Sequence, residues 1–96
     1  MTTAYTAPEL ALLRVALQHE GSGYGLTVER LATKTVVVRG ILLNPLNRTR
    51  YARHIGGLVT AGLLEVQDGT DLAGSEQVGI TDRGREVLAE QQGTRL

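Results

Sequence analysis

Apolar and polar positions repeat along the chain with two different periods. Leu10, Leu13 and Leu17 recur at helical spacing, which predicts one face of a first helix running to about Glu20. Thr6-Ala7-Pro8-Glu9 reads as its start. Thr6 can cap, Glu9 three residues later completes a capping box, and Pro8 suits the first turn. Tyr5 and Leu10 stand where a hydrophobic staple would, and Gly21 is the stop. Val28, Leu31, Ala32 and Thr35 form a shorter second stripe. Thr27 is its N-cap, and Glu29 lies in its first turn, where the helix dipole favours negative charge. Residues 36–43, VVVRGILL, read two ways. The β-branched run favours a strand, while Leu31, Thr35 and Leu42 allow a longer helix. Asn44-Pro45 then breaks the pattern.

A third helix starts between Asn44 and Asn47, with either Asn as its cap and Pro45 suited to the position after Asn44. Ala52, Ile55, Leu58, Val59 and Gly62 fall on one face, and Arg50, Arg53, His54 and Gly57 on the other. Each interior glycine costs a helix about 1 kcal/mol relative to alanine, so glycines in HIGGLVTAGLLEV call for a reason. Gly62 suits a helix stop. Gly57 lies on the outward face, where a missing side chain lets something large approach the backbone. The period then changes. Leu64–Gln67 and Gln77–Ile80 read as short strands joined by residues 68–76, which open with the turn signal Asp68-Gly69. Thr81-Asp82 caps a last helix carrying Val87, Leu88 and Ala89 and fading at Gly93.

Composition narrows the chemistry. Cysteine is absent, which excludes disulfides and thiolate metal sites. His19 and His54, the only histidines, are far apart and make a poor metal site. Ser22 and Ser75 lie in loops, and no nucleophile–base pair or paired carboxylate stands out. GSGYG, residues 21–25, lacks the spacing of a phosphate loop and reads as a turn between helices. The expectation is therefore no enzyme, no cofactor and no metal. No apolar run approaches the ~20 residues of a membrane span, and residues 1–10 have neither a basic start nor a long apolar stretch. A cytoplasmic protein of one small domain, residues 1–96, is expected.

The formal net charge is zero, but its distribution is uneven. Residues 30–64 hold six basic side chains, Arg30, Lys34, Arg39, Arg48, Arg50 and Arg53, and no acidic one. Such a block is a candidate anion-facing surface.

The order helix, helix, helix, hairpin, helix acquires a family likeness through two motifs. These are Gly62-Leu63-Leu64 at the end of the third helix and Ile80-Thr81-Asp82-Arg83-Gly84-Arg85 after the hairpin. Together they resemble the winged helix-turn-helix of bacterial repressors of the PadR and MarR type. Gly23-Tyr24-Gly25-Leu26 adds a weaker PadR-like signature, and the likeness covers roughly residues 8 to 92. It implies a mainly α (α+β) fold of three helices, a β-hairpin wing and a C-terminal helix. It also implies a regulator that reads the major groove of double-stranded DNA with the helix around residues 47–62. On that helix Arg50, Arg53 and His54 would reach base edges. Arg48 and Thr49, near its start, suit phosphates, and Lys34 and Arg39 would contribute charge alone. Leu12 and Val15 in the first helix, with Val87 and Leu88 in the last, read as apolar surplus for a homodimer through the terminal helices. Two features depart from the family. About a dozen residues, 35–46, separate the second and third helices, where a helix-turn-helix has only a few. The wing loop carries Asp68, Asp71 and Glu76 and no basic residue, so phosphates would repel it. Both the acidic wing and the zero net charge favour an alternative, a winged-helix module for protein–protein contact without sequence-specific DNA binding.

Overall fold

The computed structural model describes residues 5–20, 26–67 and 77–93. Its elements are α1 (Ala7–Gln18), β1 (Leu26–Thr27), α2 (Val28–Val38), α3 (Pro45–Thr60), β2 (Leu64–Gln67), β3 (Gln77–Ile80) and α4 (Asp82–Gly93). Both hairpin strands fall where the alternating pattern puts them. The loops at residues 21–25 and 68–76, including the GSGYG turn and the acidic wing loop, lie outside the described residues.

Local chemistry sets the helix starts. The Thr6 N–H donates to Glu9 Oε1 at 3.0 Å and the Thr6 hydroxyl to the same oxygen at 2.7 Å, so the Glu9 carboxylate reaches back over the N-cap as in a capping box. Thr27 Oγ1 accepts from the Arg30 N–H at 3.1 Å. Asn44, rather than Asn47, caps α3, its Oδ1 accepting from the Asn47 N–H at 2.8 Å with Pro45 in the first turn. Thr81 Oγ1 accepts from the Gly84 N–H at 3.1 Å at the head of α4.

Two helices end the same way. Gly62 has φ +83 and Gly40 φ +69, a left-handed backbone that favours glycine. At the α3 end the Gly62 N–H donates to the Val59 carbonyl at 3.0 Å and the Leu63 N–H to the Leu58 carbonyl at 2.9 Å. At the α2 end Gly40 donates to Val37 at 3.0 Å and Ile41 to Val36 at 3.1 Å. These paired bonds are the Schellman closure. They resolve residues 36–43: the longer helix prevails as far as Val38, Gly40 stops it, and no strand forms. The connection to α3 is therefore residues 39–44, half the span expected.

The small sheet runs in the order β1-β3-β2, all antiparallel. Leu64 faces Ile80 and Val66 faces Val78, while Leu26 lies opposite Val78 from the other side. The two-residue strand β1 has no counterpart in the sequence pattern.

The core gathers Leu12, Leu13, Val15 and Ala16 of α1, Leu31, Ala32 and Val36 of α2, and Tyr51, Ile55 and Leu58 of α3. Leu63, Leu64, Val78, Ile80 and Leu88 close it from the sheet side and α4. Buried Thr35 keeps its hydroxyl satisfied by donating to the Leu31 carbonyl at 2.8 Å. The α1 face differs from the expected one. Leu17 is exposed and Leu10 half-buried, because the doublets Leu12-Leu13 and Val15-Ala16 turn inward instead. Leu12, Val15 and Leu88, read as surplus for a dimer, are thus buried within the protomer, and Val87 packs against the same core.

A clip holds the α3 end to the α4 start. The Thr81 hydroxyl donates to the Gly62 carbonyl at 2.6 Å and its N–H to the Leu63 carbonyl at 3.1 Å. A methyl at Gly84 would meet the Leu63 carbonyl oxygen and lie 2.7 Å from Ile80 Cγ1, so only glycine fits this approach. The two family-like motifs are therefore the two sides of one contact. Arg85 adds an ion pair to Glu20 and another to Asp82, tying α4 to the end of α1.

Candidate nucleic-acid interface

The third helix presents one face to the core and one to solvent. Tyr51, Ile55 and Leu58 define the buried stripe. At helical periodicity the opposite stripe carries Leu46, Thr49, Arg53, Gly56, Gly57 and Thr60, all exposed, with Arg50 on its flank. Nothing lies within 4 Å of where a Cβ would stand at Gly56 or Gly57, so two successive glycines leave the helix backbone open to approach. α3 contains no acidic side chain. Arg50 and Arg53 have no ion-pair partner among the described residues.

Of the residues singled out in the sequence, Thr49, Arg50 and Arg53 come together on this surface. The Thr49 hydroxyl donates to the Pro45 carbonyl at 2.8 Å, so its hydrogen is committed inside the helix. Arg48 turns the other way. Its Nη1 lies 3.8 Å from Glu29 Oε1 of α2, beside a groove of about 440 Å³ lined by Val28, Glu29, Ala32, Pro45, Arg48, Thr49 and Ala52. The block at residues 30–64 is acid-free in sequence, yet Glu29 reaches it in space.

His54 is half-buried on the flank toward Tyr51, the rings meeting edge to face with centroids 5.9 Å apart. It also stands close enough to Glu9 of α1 to act on its charge. Burial alone would raise the Glu9 carboxyl, but the Thr6 N–H, the Thr6 hydroxyl and the attraction of His54 outweigh it and leave its pKa below the ordinary value. Arg39, at the α2 C-cap, donates from Nη1 to the Tyr51 hydroxyl at 2.8 Å, which pins the end of α2 to the middle of α3. Lys34 is exposed on α2. The predicted set thus divides: three residues on the outer face of α3, three held by neighbouring elements, and one on another helix.

Sequence reasoning overlooked Leu46 and Tyr51. Tyr51 lies four residues before Ile55 and seven before Leu58, and that spacing marks it as core. Leu46 shares the outer stripe through the same spacing to Arg50 and Arg53. Among the described residues no group of three or more His, Asp or Glu is placed to hold a metal ion. None of the described helices is long and apolar enough to cross a membrane.

The architecture is that of known winged-helix regulators. The chain is similar in structure to a MarR-family transcription regulator, with TM-score 0.67 at 20% identity, covering 96% of this chain and 52% of that one. It is also similar to the Vibrio cholerae ferric uptake regulator, in a structure noted for rearrangement of its DNA-binding domains, with TM-score 0.52 at 16% identity, covering 83% of this chain and 55% of that one. The chain spans about half the length of both. At this identity the likeness establishes the fold, a four-helix winged helix with a three-stranded antiparallel sheet. No family model matches the chain, and no curated protein does.

Proposed function

We propose that residues 1–96 form one winged-helix unit that binds double-stranded DNA as a transcriptional regulator and reads the major groove with α3. The observation that carries this reading is the outer face of α3. Arg50 and Arg53 project from a helix without acids, beside the bare backbone at Gly56 and Gly57. Arginine pairs with guanine O6 and N7, and one good bidentate contact is worth about 1–3 kcal/mol of discrimination. The description of the two structural relatives as regulators, one with DNA-binding domains, supports it by analogy of fold. Lys34, exposed on α2, adds charge without sequence preference. Arg48 shares its charge with Glu29, Arg39 is engaged by Tyr51, and His54 is half-buried with its ring against Tyr51, so these three are weaker readers than Arg50 and Arg53. Activity in the cytoplasm without catalysis belongs to the same reading. So does a two-fold homodimer, built from surface other than the buried Leu12, Val15 and Leu88.

Competition titrations test it. Affinity for duplex DNA falls steeply with salt, because each neutralised phosphate releases counterions. Arg53→Ala lowers preference for the best site over random DNA, while Lys34→Ala weakens both about equally. A folded protein that fails to bind duplex DNA at low salt overturns the reading. The adaptor alternative then takes its place, favoured by the apolar side chains exposed on the α2–α3 connection, of which Leu42 is 73% exposed.

A further inference from the structure

The reading face of α3 begins with apolar surface. Leu46, in the first turn, is 60% exposed. It lies four residues before Arg50 and seven before Arg53, and so shares their side of the helix. Polar competitors around it are committed elsewhere. The Asn44 side chain caps the Asn47 N–H at 2.8 Å, and Asn47 Nδ2 donates to the Leu42 carbonyl at 2.7 Å. The Thr49 hydroxyl is bonded back to Pro45. Ahead of Arg50, then, each asparagine amide is already anchored by one bond to the backbone and the helix carries no carboxylate to accept from cytosine. What it offers is a leucine side chain in water.

The major groove has one apolar feature, the C5 methyl of thymine. We propose that Leu46 reads thymine methyl groups, so that the recognised site combines a thymine with a guanine contacted by Arg50 or Arg53. This deepens the DNA-binding reading and rests on it. The arginines, on a helix free of acids, draw the face to DNA, and the leucine finds its partner there. Helix rise places Leu46 about 6 Å from Arg50 and about 10 Å from Arg53 along the axis. At ~3.4 Å per base pair this sets the thymine roughly two to three steps from the guanine.

The test uses the full chain and a duplex selected from random sequence. Each thymine is replaced in turn by deoxyuridine, which pairs identically and lacks only the methyl group. Affinity falls roughly fourfold at one or two positions, the value of one buried methyl, two to three base pairs from a guanine whose replacement is felt by Arg50→Ala or Arg53→Ala. Leu46→Ala binds the thymine duplex less tightly and no longer distinguishes it from the deoxyuridine duplex. Its circular dichroism matches the parent, because the side chain is exposed. Salt-sensitive binding in which every deoxyuridine duplex equals the parent overturns the proposal and leaves the DNA reading intact. Absence of duplex binding at low salt overturns both. A Leu46→Ala variant that still distinguishes thymine from deoxyuridine but sediments as a monomer where the parent is a dimer overturns the proposal as well, and assigns the leucine to a second copy.

Discussion

The ends of α2 and α3 are built alike and finish differently. Val36-Val37-Val38-Arg39-Gly40-Ile41 and Leu58-Val59-Thr60-Ala61-Gly62-Leu63 carry the same closure, with glycine φ of +69 and +83 and the same pair of return hydrogen bonds. After Gly62 the chain goes inward: Leu63 is 0% and Leu64 2% exposed. After Gly40 it goes outward: Ile41 is half-buried, and Leu42 and Leu43 are exposed. A left-handed glycine decides where a helix ends, but not what becomes of the apolar residues beyond it. The covering element decides that. The Thr81 clip and Gly84 bring α4 over the α3 end, whereas the α2 end is tied to α3 by two side-chain bonds, Arg39 to the Tyr51 hydroxyl and Asn47 to the Leu42 carbonyl, which leave Leu42 and Leu43 exposed. In the covered case the leucines serve stability, and in the open one they are available to a partner.

The largest contrast tests that division directly. Leu63→Ala removes a fully buried side chain and costs about 2–5 kcal/mol, while Leu42→Ala stays within about 0.5 kcal/mol of the parent. Urea titration measures both. Comparable losses would mean that the α2–α3 connection is packed after all. Next comes the clip. Gly84→Ala drives a methyl against the Leu63 carbonyl and Ile80. Overpacking costs about 1–3 kcal/mol, only partly offset by alanine's helix propensity of about 1 kcal/mol. A more stable Gly84→Ala protein would show that α4 can retreat without cost, and the covering argument would fall. The two stops themselves follow. Alanine in a left-handed backbone costs about 1–2 kcal/mol, so Gly62→Ala and Gly40→Ala both destabilise. Gly62→Ala loses more, because the Thr81 bond holds its carbonyl in place while the open α2 end can unwind. The reverse order would place the rigid end at Gly40.

Most of this fold was legible because it is local. Thr6, Thr27, Asn44 and Thr81 cap through bonds that reach three residues along the chain. The hairpin strands follow from period-two spacing between turn residues. Most of the misreadings concern neighbours distant in sequence. β1 exists only because Val78 and Gln77 lie alongside it, and two residues carry no pattern of their own. Gly40 was legible in principle, since Val-Arg-Gly-Ile repeats the logic of Thr-Ala-Gly-Leu, but the three valines before it imitate a strand. On the candidate interface, periodicity told inward from outward and so found Arg50 and Arg53, while Thr49 was found by its place near the helix start. It could not tell which neighbour a flanking side chain meets. Arg48 meets Glu29, Arg39 meets Tyr51, and His54 packs on Tyr51 near Glu9. Each of those encounters depends on how two helices cross.

The smallest expected effect concerns the tie that α3 makes to α1 instead of α4. The Thr81 clip contains no titrating group, so acid leaves it unchanged. Glu9, by contrast, is clasped by Thr6 and attracted by His54 of α3. Burial opposes its charge, yet the two Thr6 bonds and His54 prevail and its folded pKa lies below the ordinary carboxylate value. A carboxyl depressed in the folded state contributes stability above its unfolded pKa, near ~4.3 for glutamate, and loses it as pH falls through the folded value. Glu9→Gln keeps an acceptor for Thr6 but not the charge. The variant is therefore slightly less stable than the parent at neutral pH, and the difference closes as pH drops below about 4. Chemical denaturation of both proteins at several pH values measures it. Thr81→Val, compared with its parent at the same pH values, shows a constant difference over that range. A Glu9→Gln difference that also stays constant would mean that neither the Thr6 bonds nor His54 favours the charged form of Glu9 in the folded protein.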